Sequence, residues 1–342
     1  MSLQVAPSGL YEYHVMVPYL PRFGSQSKWK AVVRALGVQA RIALESFIQR
    51  VGKPDLIHAL AVYPGGAAAV ALGREFGIPV GITEHLGPFP PPTLCLPDGS
   101  VMPIISDAYA GAALHSAVSR SLADRIVGLG LASKVDVLPN FLADNFGSAL
   151  PNVGKKEDAF SFLSVGEPGR GKGTDILLRA LARIDPNVTM SIVGSGPDIL
   201  LYQKMAADLG IADRVRWLGS VSRKNMPNLY RECDAFVLPS RGETFGIVFI
   251  EALAHGKPLI ATRCGGPEDI VHADNGLLVP MDSVEELAIA MERMIQTSGN
   301  YSPQALRADF LARFSASAVV DTIEDWYVAL MNSGQHKAEI CR

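Results

Sequence analysis

Glu243 and Glu251 stand on either side of Gly246 in the run Pro239-Ser240-Arg241-Gly242-Glu243-Thr244-Phe245-Gly246-Ile247-Val248-Phe249-Ile250-Glu251-Ala252-Leu253-Ala254-His255-Gly256-Lys257-Pro258. An apolar strand is expected to end at Pro239, a loop to carry Glu243 and Gly246, and a helix to run to Gly256, whose place before Lys257-Pro258 reads as a stop. A glycine at a helix start lets a ligand approach free backbone N–H groups, which suit a phosphate. The plain reading of Glu251 is an exposed helical glutamate. It falls, however, among Ile247, Val248, Ile250, Leu253 and Ala254, where a free carboxylate is costly unless partnered.

A second glycine-rich loop, Val165-Gly166-Glu167-Pro168-Gly169-Arg170-Gly171-Lys172-Gly173-Thr174, follows another apolar strand. It misses the GxxxxGK[ST] pattern, because Gly173 stands where Ser or Thr should follow Lys172. Arg170 and Lys172 still offer positive charge to a diphosphate; the alternative is ordinary surface solvation. Val193-Gly194-Ser195-Gly196-Pro197 adds only a lone GxG. His85 ends an apolar strand before Gly87-Pro88, a place that suits a ligand contact or a capping side chain equally.

The elements that must hold these residues alternate β and α nearly throughout, the signature of parallel sheets. Strands are expected at Leu56 to Ala61, Ile78 to Thr83, His115 to Ser119 and Val135 to Leu138, with helices at Gly65 to Phe76 and Ser121 to Leu129. A second set of strands follows at Phe160 to Val165, Val188 to Val193, Val215 to Leu218, Ala235 to Leu238 and Pro258 to Ala261. Between the sets, Pro139 to Ala159 is rich in Asn, Gly and Pro and reads as a linker. The expected division is residues 1–140 as one Rossmann-like domain, 141–159 as linker, 160–315 as a second Rossmann-like domain and 316–342 as a C-terminal helix crossing back to the first. Ligands in such sheets bind beyond the carboxyl ends of the strands, so the expected site is the cleft between two facing domains. Near the end, Ser283 with Glu286 reads as a helix start, and a final apolar helix is expected from Ala316 to Met331.

The whole composition narrows the function classes. With 342 residues, 48% hydrophobic and 19% charged, the chain can bury a sizeable core. A net charge of −3 offers no footprint for nucleic acid. Cys95, Cys233, Cys264 and Cys341 are scattered without a CxxC pair, which points to neither a zinc site nor a disulfide framework and suits a reducing cytoplasm. No signal peptide is visible at the N-terminus, and the apolar stretch Leu56 to Val80 is broken by Pro64-Gly65-Gly66. Residues 22–53 carry Arg22, Lys28, Lys30, Arg34, Arg41, Arg50 and Lys53 against Glu45 alone, a net +6, with Trp29, Val32, Val33, Leu36, Ala40, Ala43, Leu44 and Phe47 at helical spacing. Two readings stay open: a helix packed on the first domain with a solvated basic face, or peripheral contact with anionic lipid at the inner membrane face.

In order and spacing, the two loops, VGSGP, Arg216-Trp217-Leu218-Gly219, Tyr230 to Pro239 (YRECDAFVLP), Cys264-Gly265-Gly266-Pro267-Glu268 and Asn275-Gly276-Leu277-Leu278-Val279-Pro280 resemble the family 4 retaining glycosyltransferases of GT-B fold. The resemblance continues more loosely through Lys53-Pro54-Asp55-Leu56-Ile57-His58, Tyr63-Pro64-Gly65-Gly66, Thr83-Glu84-His85, Ser116-Ala117-Val118-Ser119 and Leu138-Pro139-Asn140.

What the resemblance implies is an α/β GT-B enzyme that moves a sugar from a nucleotide diphosphate sugar to a sugar or lipid-linked acceptor hydroxyl, without metal or resident cofactor, in cell-surface polysaccharide or glycolipid synthesis. Glu251 matches the glutamate that holds the ribose, since a carboxylate can accept both hydroxyls of a cis-diol. Glu243 matches the one set against the donor sugar, with the amides of Phe245, Gly246 and Ile247 meeting sugar hydroxyls and the distal phosphate. Lys172 matches the diphosphate lysine, His85 the histidine near the reacting carbon, and Val221 the backbone holding the nucleobase; Gly166 opens the phosphate loop. Two residues depart from the pattern: Glu167 stands at the family's arginine, a role Arg170 is expected to take, and Leu60 stands where relatives carry a second histidine. No opening strand with its Gly-Gly loop is expected before Tyr13, so the first domain reads as lacking its first βα unit.

Two other classes are weighed against this. A nicotinamide-dependent oxidoreductase fits two Rossmann-like halves but lacks a GxGxxG opening a first βα unit. A catalytically inactive nucleotide-binding subunit shares every second-domain feature, and differs by binding nucleotide without turnover.

Overall fold

The computed structural model describes residues 2–5, 11–14, 26–147 and 159–340, with side chains for 30–147 and 159–333. The chain divides into two compact units, one of residues Met1–Val118, Leu122–Leu138 and Thr322–Arg342, the other of Ser119–Ser121 and Pro139–Asp321.

In the first unit β1 (Ser2–Val5) pairs antiparallel with β2 (Tyr11–His14), an element pair absent from the sequence expectation. Then follow α1 (Gln26–Arg50), β3 (Ile57–Leu60), α2 (Ala67–Phe76), β4 (Val80–Glu84), α3 (Pro103–Gly111), β5 (Leu114–Ala117), α4 (Arg120–Gly128) and β6 (Asp136–Val137). The sheet is parallel in the order β3-β4-β5-β6. All five residues of β4 are buried, as an apolar run covered on both faces requires. Helix α2 begins two residues later than the expected Gly65, because Val62–Gly66 forms a π turn entered through Ala61 at φ 80°.

The second unit contains β7 (Ser161–Val165), α5 (Thr174–Leu181), β8 (Thr189–Val193), α6 (Ile199–Asp208), β9 (Val215–Gly219), α7 (Met226–Glu232), β10 (Ala235–Leu238), α8 (Ile247–Ala254), β11 (Leu259–Thr262), β12 (Gly276–Val279), α9 (Val284–Thr297) and α10 (Pro303–Phe314). Its six parallel strands lie in the order β12-β11-β10-β7-β8-β9. The chain therefore steps outward from β7 through β8 to β9, and then from β10 on the opposite side of β7. The order reverses between β7 and β10, and a crevice opens at such a switch point beyond the carboxyl ends of the strands. Phe162, Leu163, Phe236 and Val237 are buried in the two strands that flank it, and Leu259 and Ile260 in β11 beside them. Each contributes about 1.5–3 kcal/mol to stability and keeps the strand ends rigid.

Ser283 caps α9 by accepting the Glu286 N–H, as the sequence predicts. Helix α11 (Ala316–Ile340) runs past the expected Met331, and its residues from Thr322 on pack with the first unit. Trp326 and Leu330 lie against Gly81, where an added Cβ would come within 2.2 Å of the indole, so this glycine permits the close approach of helix to sheet. Of the expected linker, residues 148–158 lie outside the described residues. Before them, the Leu142 N–H donates to the Phe314 carbonyl at 2.9 Å, and Arg307 donates to the carbonyls of Asp144 and Phe146. Among the described residues no helix is long and apolar enough to cross a membrane.

Candidate functional site

The loops after β7 and β10 meet at the switch point of the second unit. Gly173, with φ +66°, sits so close to Pro239 that a Cβ would come within 1.9 Å of the proline carbonyl oxygen. The Arg241 N–H donates to the Gly171 carbonyl at 2.8 Å. The Arg241 guanidinium forms a bidentate pair with Asp175 at 2.8 and 2.9 Å, donates to the Arg170 carbonyl and reaches Asp282. These hydrogen bonds from Arg241 hold the Asp175 carboxyl below its usual range. The glycine loop is thereby fastened to the end of β10 by a planar fork that a lysine could not reproduce.

Held in this way, Lys172 lies with its aliphatic stem over Gly166 and its Nζ 2.6 Å from Glu243 Oε1. The Ser240 hydroxyl donates to the same oxygen at 2.9 Å. The Lys172 side chain is 35% exposed and that of Glu243 12%, so the pair is reachable from solvent on the lysine side. Glu243 is also anchored through its backbone, its carbonyl accepting the Gly266 N–H at 2.8 Å.

Helix α8 opens at Gly246 in the left-handed region, φ 97°, with the ring of Phe249 packed where a Cβ would lie. The first N–H groups of a helix have no intrahelical acceptor, which makes this turn a donor surface. Phe245 is buried against Phe314 and Ile247 is exposed, so the Phe245-Gly246-Ile247 backbone passes from the core to the surface. One turn further, Glu251 is half-buried and accepts a hydrogen bond from the Tyr230 hydroxyl at 2.8 Å. Burial pushes the Glu251 carboxyl up, and the Tyr230 hydrogen bond and the charge of Arg223 act against that rise. Val221 lies two residues before Arg223 in the loop after β9; there the Gly194 N–H donates to the Gly219 carbonyl at 2.8 Å, and the hydroxyls of Ser195 and Ser220 lie 2.6 Å apart.

In the first unit, His85 follows Glu84, whose carboxylate is completely buried. Glu84 Oε1 accepts the N–H groups of His85 and Leu86, both at 2.8 Å, and Oε2 accepts the Val62 N–H at 3.0 Å and the Tyr109 hydroxyl at 3.4 Å. One side chain thus joins the exits of β3 and β4. Burial keeps the His85 imidazole below its ordinary pKa, which favours the neutral ring. His58 bridges the Tyr327 hydroxyl at 2.9 Å and Thr83 Oγ1 at 2.6 Å, and Leu60 at the end of β3 is 67% exposed.

The structure therefore brings Lys172, Glu243 and Gly166 into one cluster, with Gly246 and Glu251 on the adjoining helix. Arg170 is different. Its side chain is exposed, and the fold holds its carbonyl through Arg241. Glu167 is exposed with its side chain across Gly196, where an added Cβ would come within 2.6 Å of its Cγ. Sequence reasoning named no role for Arg241, Tyr230 or Glu84. The signal for Glu84 is a carboxylate closing the apolar run Val80-Gly81-Ile82-Thr83; the contacts of the other two join distant segments. Among the described residues no group of three or more His, Cys, Asp and Glu side chains gathers into a metal site. Cys95, Cys233 and Cys264 are free thiols, and Cys341 lies outside the described residues.

Two family profiles match in succession: Glycosyltransferase Family 4 over residues 5–145 and Glycosyl transferases group 1 over residues 148–309. A D-inositol 3-phosphate glycosyltransferase of Mycobacteroides abscessus is 34% identical over 220 residues, covering 60% of this chain and 49% of that protein. D-inositol 3-phosphate glycosyltransferase 1 of Catenulispora acidiphila is 30% identical over 315 residues, covering 83% of this chain and 74% of that protein. Among solved structures, sucrose-phosphate synthase from Thermosynechococcus elongatus superposes with a TM-score of 0.78 at 20% identity, over 97% of this chain and 86% of that one. Anabaena HepE in complex with UDP-glucose superposes at 0.69 and 21% identity, over 85% and 82%. The fold is the α/β GT-B fold anticipated from the sequence. With both profiles in order and a relative matched along most of its length, the chain belongs to the group 1, family 4 glycosyltransferases.

Proposed function

We propose that this protein transfers a sugar from a nucleotide diphosphate sugar to a hydroxyl of a sugar or lipid-linked acceptor, with retention at the anomeric carbon. The observation that carries the reading is the Lys172–Glu243 pair at the switch point of the second unit, beside a helix start that lacks a side chain at Gly246. On this reading the bond between the anomeric carbon and the diphosphate oxygen breaks, and charge grows on the leaving group. Lys172 turns from Glu243 to meet that charge, together with the amides of Phe245, Gly246 and Ile247. Glu243, released, accepts donor-sugar hydroxyls, and Glu251 accepts those of the ribose. His85 contacts the sugar near the reacting carbon as a neutral imidazole. Lys172 and the helix start supply the positive counterpart, so the reaction proceeds without a metal ion.

The relatives support this class of chemistry: one neighbour was solved with UDP-glucose, and another relative is described as a lipopolysaccharide core biosynthesis glycosyltransferase. The proposal extends to cell-surface polysaccharide or glycolipid synthesis in the cytoplasm, peripheral to the membrane through residues 22–53. Arg41 in that segment pairs with Glu45 and Glu75, which leaves Lys30, Arg34, Arg50 and Lys53 exposed alongside Val38 and Ile42 for a lipid surface. Arg22 lies outside the described residues, as do the side chains of Lys28 and Trp29.

A thermal-shift screen of UDP, GDP, ADP and their sugars tests the donor class, because a ligand of the folded state raises its stability by mass action. Glu251→Ala is expected to cost the stabilising nucleotide about 1–3 kcal/mol of affinity in calorimetry. Transfer by the purified protein is expected to persist in EDTA. A screen in which no nucleotide shifts the transition overturns the donor assignment, and activity lost to EDTA overturns the metal-free one.

A further inference from the structure

Tyr230 is fully buried, yet it ends in a hydroxyl aimed at a carboxylate of the candidate site. Its ring is gripped from several sides. His255 stacks on it with centroids 5.0 Å apart and planes 17° from parallel, and Phe236 packs at 6.1 Å, itself braced edge-on by Phe249 at 5.3 Å. His255 in turn has its Nδ1 2.8 Å from the Glu251 carbonyl oxygen, so the turn of α8 that carries Glu251 is held through its backbone as well as its side chain. The phenol has one proton and two acceptors within reach, Glu251 Oε2 at 2.8 Å and the Val248 carbonyl at 3.4 Å. The shorter, charge-assisted bond takes it.

We propose that Tyr230 is a positioning residue for nucleotide binding: its hydroxyl, fixed by the packed ring, occupies Glu251 Oε2 and sets the carboxylate rotamer so that Oε1 faces the ligand. This rests on the reading of Glu251 as the ribose acceptor. Among the described residues Oε1 has no protein donor, so its acceptor capacity is free for a hydroxyl of the ligand.

The groups that face this carboxylate are few. Tyr230 approaches from α7 and Arg223 acts from the loop after β9, while His255, just past the end of α8, meets the Glu251 carbonyl and is held towards its neutral form by burial. Burial alone favours the protonated carboxyl, which cannot accept two ribose hydroxyls equally well. The Tyr230 hydrogen bond favours the ionised form. Removing it therefore both frees the rotamer and raises the pH at which the carboxylate is lost.

The test is a double-mutant cycle on Tyr230→Phe and Glu251→Ala, with affinity for UDP, GDP and ADP measured by calorimetry across the acid range. Tyr230→Phe keeps the ring and its stacking, and is expected to weaken the best-binding nucleotide by about threefold to tenfold. The acid limb of its affinity profile is expected to begin at higher pH than in the wild type. On the Glu251→Ala background the same change is expected to cost nothing further, and on a Glu251→Gln background Tyr230→Phe is expected to leave the acid limb where it was, only the nucleotide's own phosphate and groups other than Glu251 still titrating. Tyr230→Phe that binds like wild type at every pH, or that costs as much without Glu251 as with it, overturns the positioning role while leaving Glu251 in place. Glu251→Ala that binds like wild type overturns both.

Discussion

Each unit contains a glutamate whose carboxyl burial pushes above the ordinary range, Glu84 completely buried and Glu251 half-buried. Glu84 of the first unit is saturated: its two oxygens accept three backbone N–H groups and a phenol, which uses the roughly four acceptor sites a carboxylate has. Glu251 of the second unit accepts one phenol, and among the described residues its other oxygen meets no donor. Residue type and pKa direction are shared. What separates the two is the acceptor capacity left over, used up at Glu84 and half open at Glu251. Glu243 stands between them, with one oxygen held by Lys172 and Ser240, both of them side chains that can turn away.

The contrast is most open to attack at Glu84. Glu84→Ala leaves three backbone N–H groups, that of Val62 fully buried, without their acceptor and is expected to cost about 3–5 kcal/mol of stability, read from urea unfolding. An unchanged midpoint would break the comparison at once. Next is Lys172→Ala, which leaves the scaffold alone and, on the proposed mechanism, removes the charge that meets the leaving group; kcat is then expected to fall about 10²–10³-fold with unfolding unchanged. A loss confined to KM would move Lys172 from transition-state to ground-state binding. Arg241→Lys replaces the bidentate fork on Asp175 with a point charge and is expected to lower stability by about 1 kcal/mol, with a smaller drop in turnover as the Lys172 loop loosens. Arg170→Ala should be the mildest, costing about 1 kcal/mol of diphosphate affinity or less, since its guanidinium is exposed. A large fall in single-turnover rate there would show that Arg170 replaces the charge missing at Glu167.

Strands β7, β10 and β11 were legible as short apolar runs because they are covered on both faces, while β8 and the edge strand β9 are only partly covered; Lys172, Glu243 and Glu251 were singled out because a loop and a helix start set their spacing. Strand β12 escaped because Gly276-Leu277-Leu278-Val279 opens on a glycine and follows directly on a turn in which the Asn275 amide donates to the Ile270 carbonyl. Helix α3 escaped because its start at Pro103 follows a Pro- and Gly-rich stretch that reads as loop. The supporting residues were hidden for another reason. Tyr230 meets Glu251 across 21 positions and Arg241 meets Asp175 across 66, so each contact exists only once helices have packed beside the sheet. Periodicity describes the face an element buries; it is silent on which hydroxyl or fork will meet which carboxylate.

The Lys172–Glu243 pair has one more consequence, for the response to ionic strength. The lysine is neutralised by a carboxylate 2.6 Å away, so its own charge projects little positive field into solution. If the lysine exchanges this carboxylate for a diphosphate, as proposed above, added salt acts on both sides of the exchange, screening the attraction of lysine for diphosphate and also the internal pair that opens to release it. Donor affinity should therefore fall less steeply with salt than one lysine–phosphate contact would dictate. In Glu243→Gln, where Lys172 has no such internal rival, the full steepness should return.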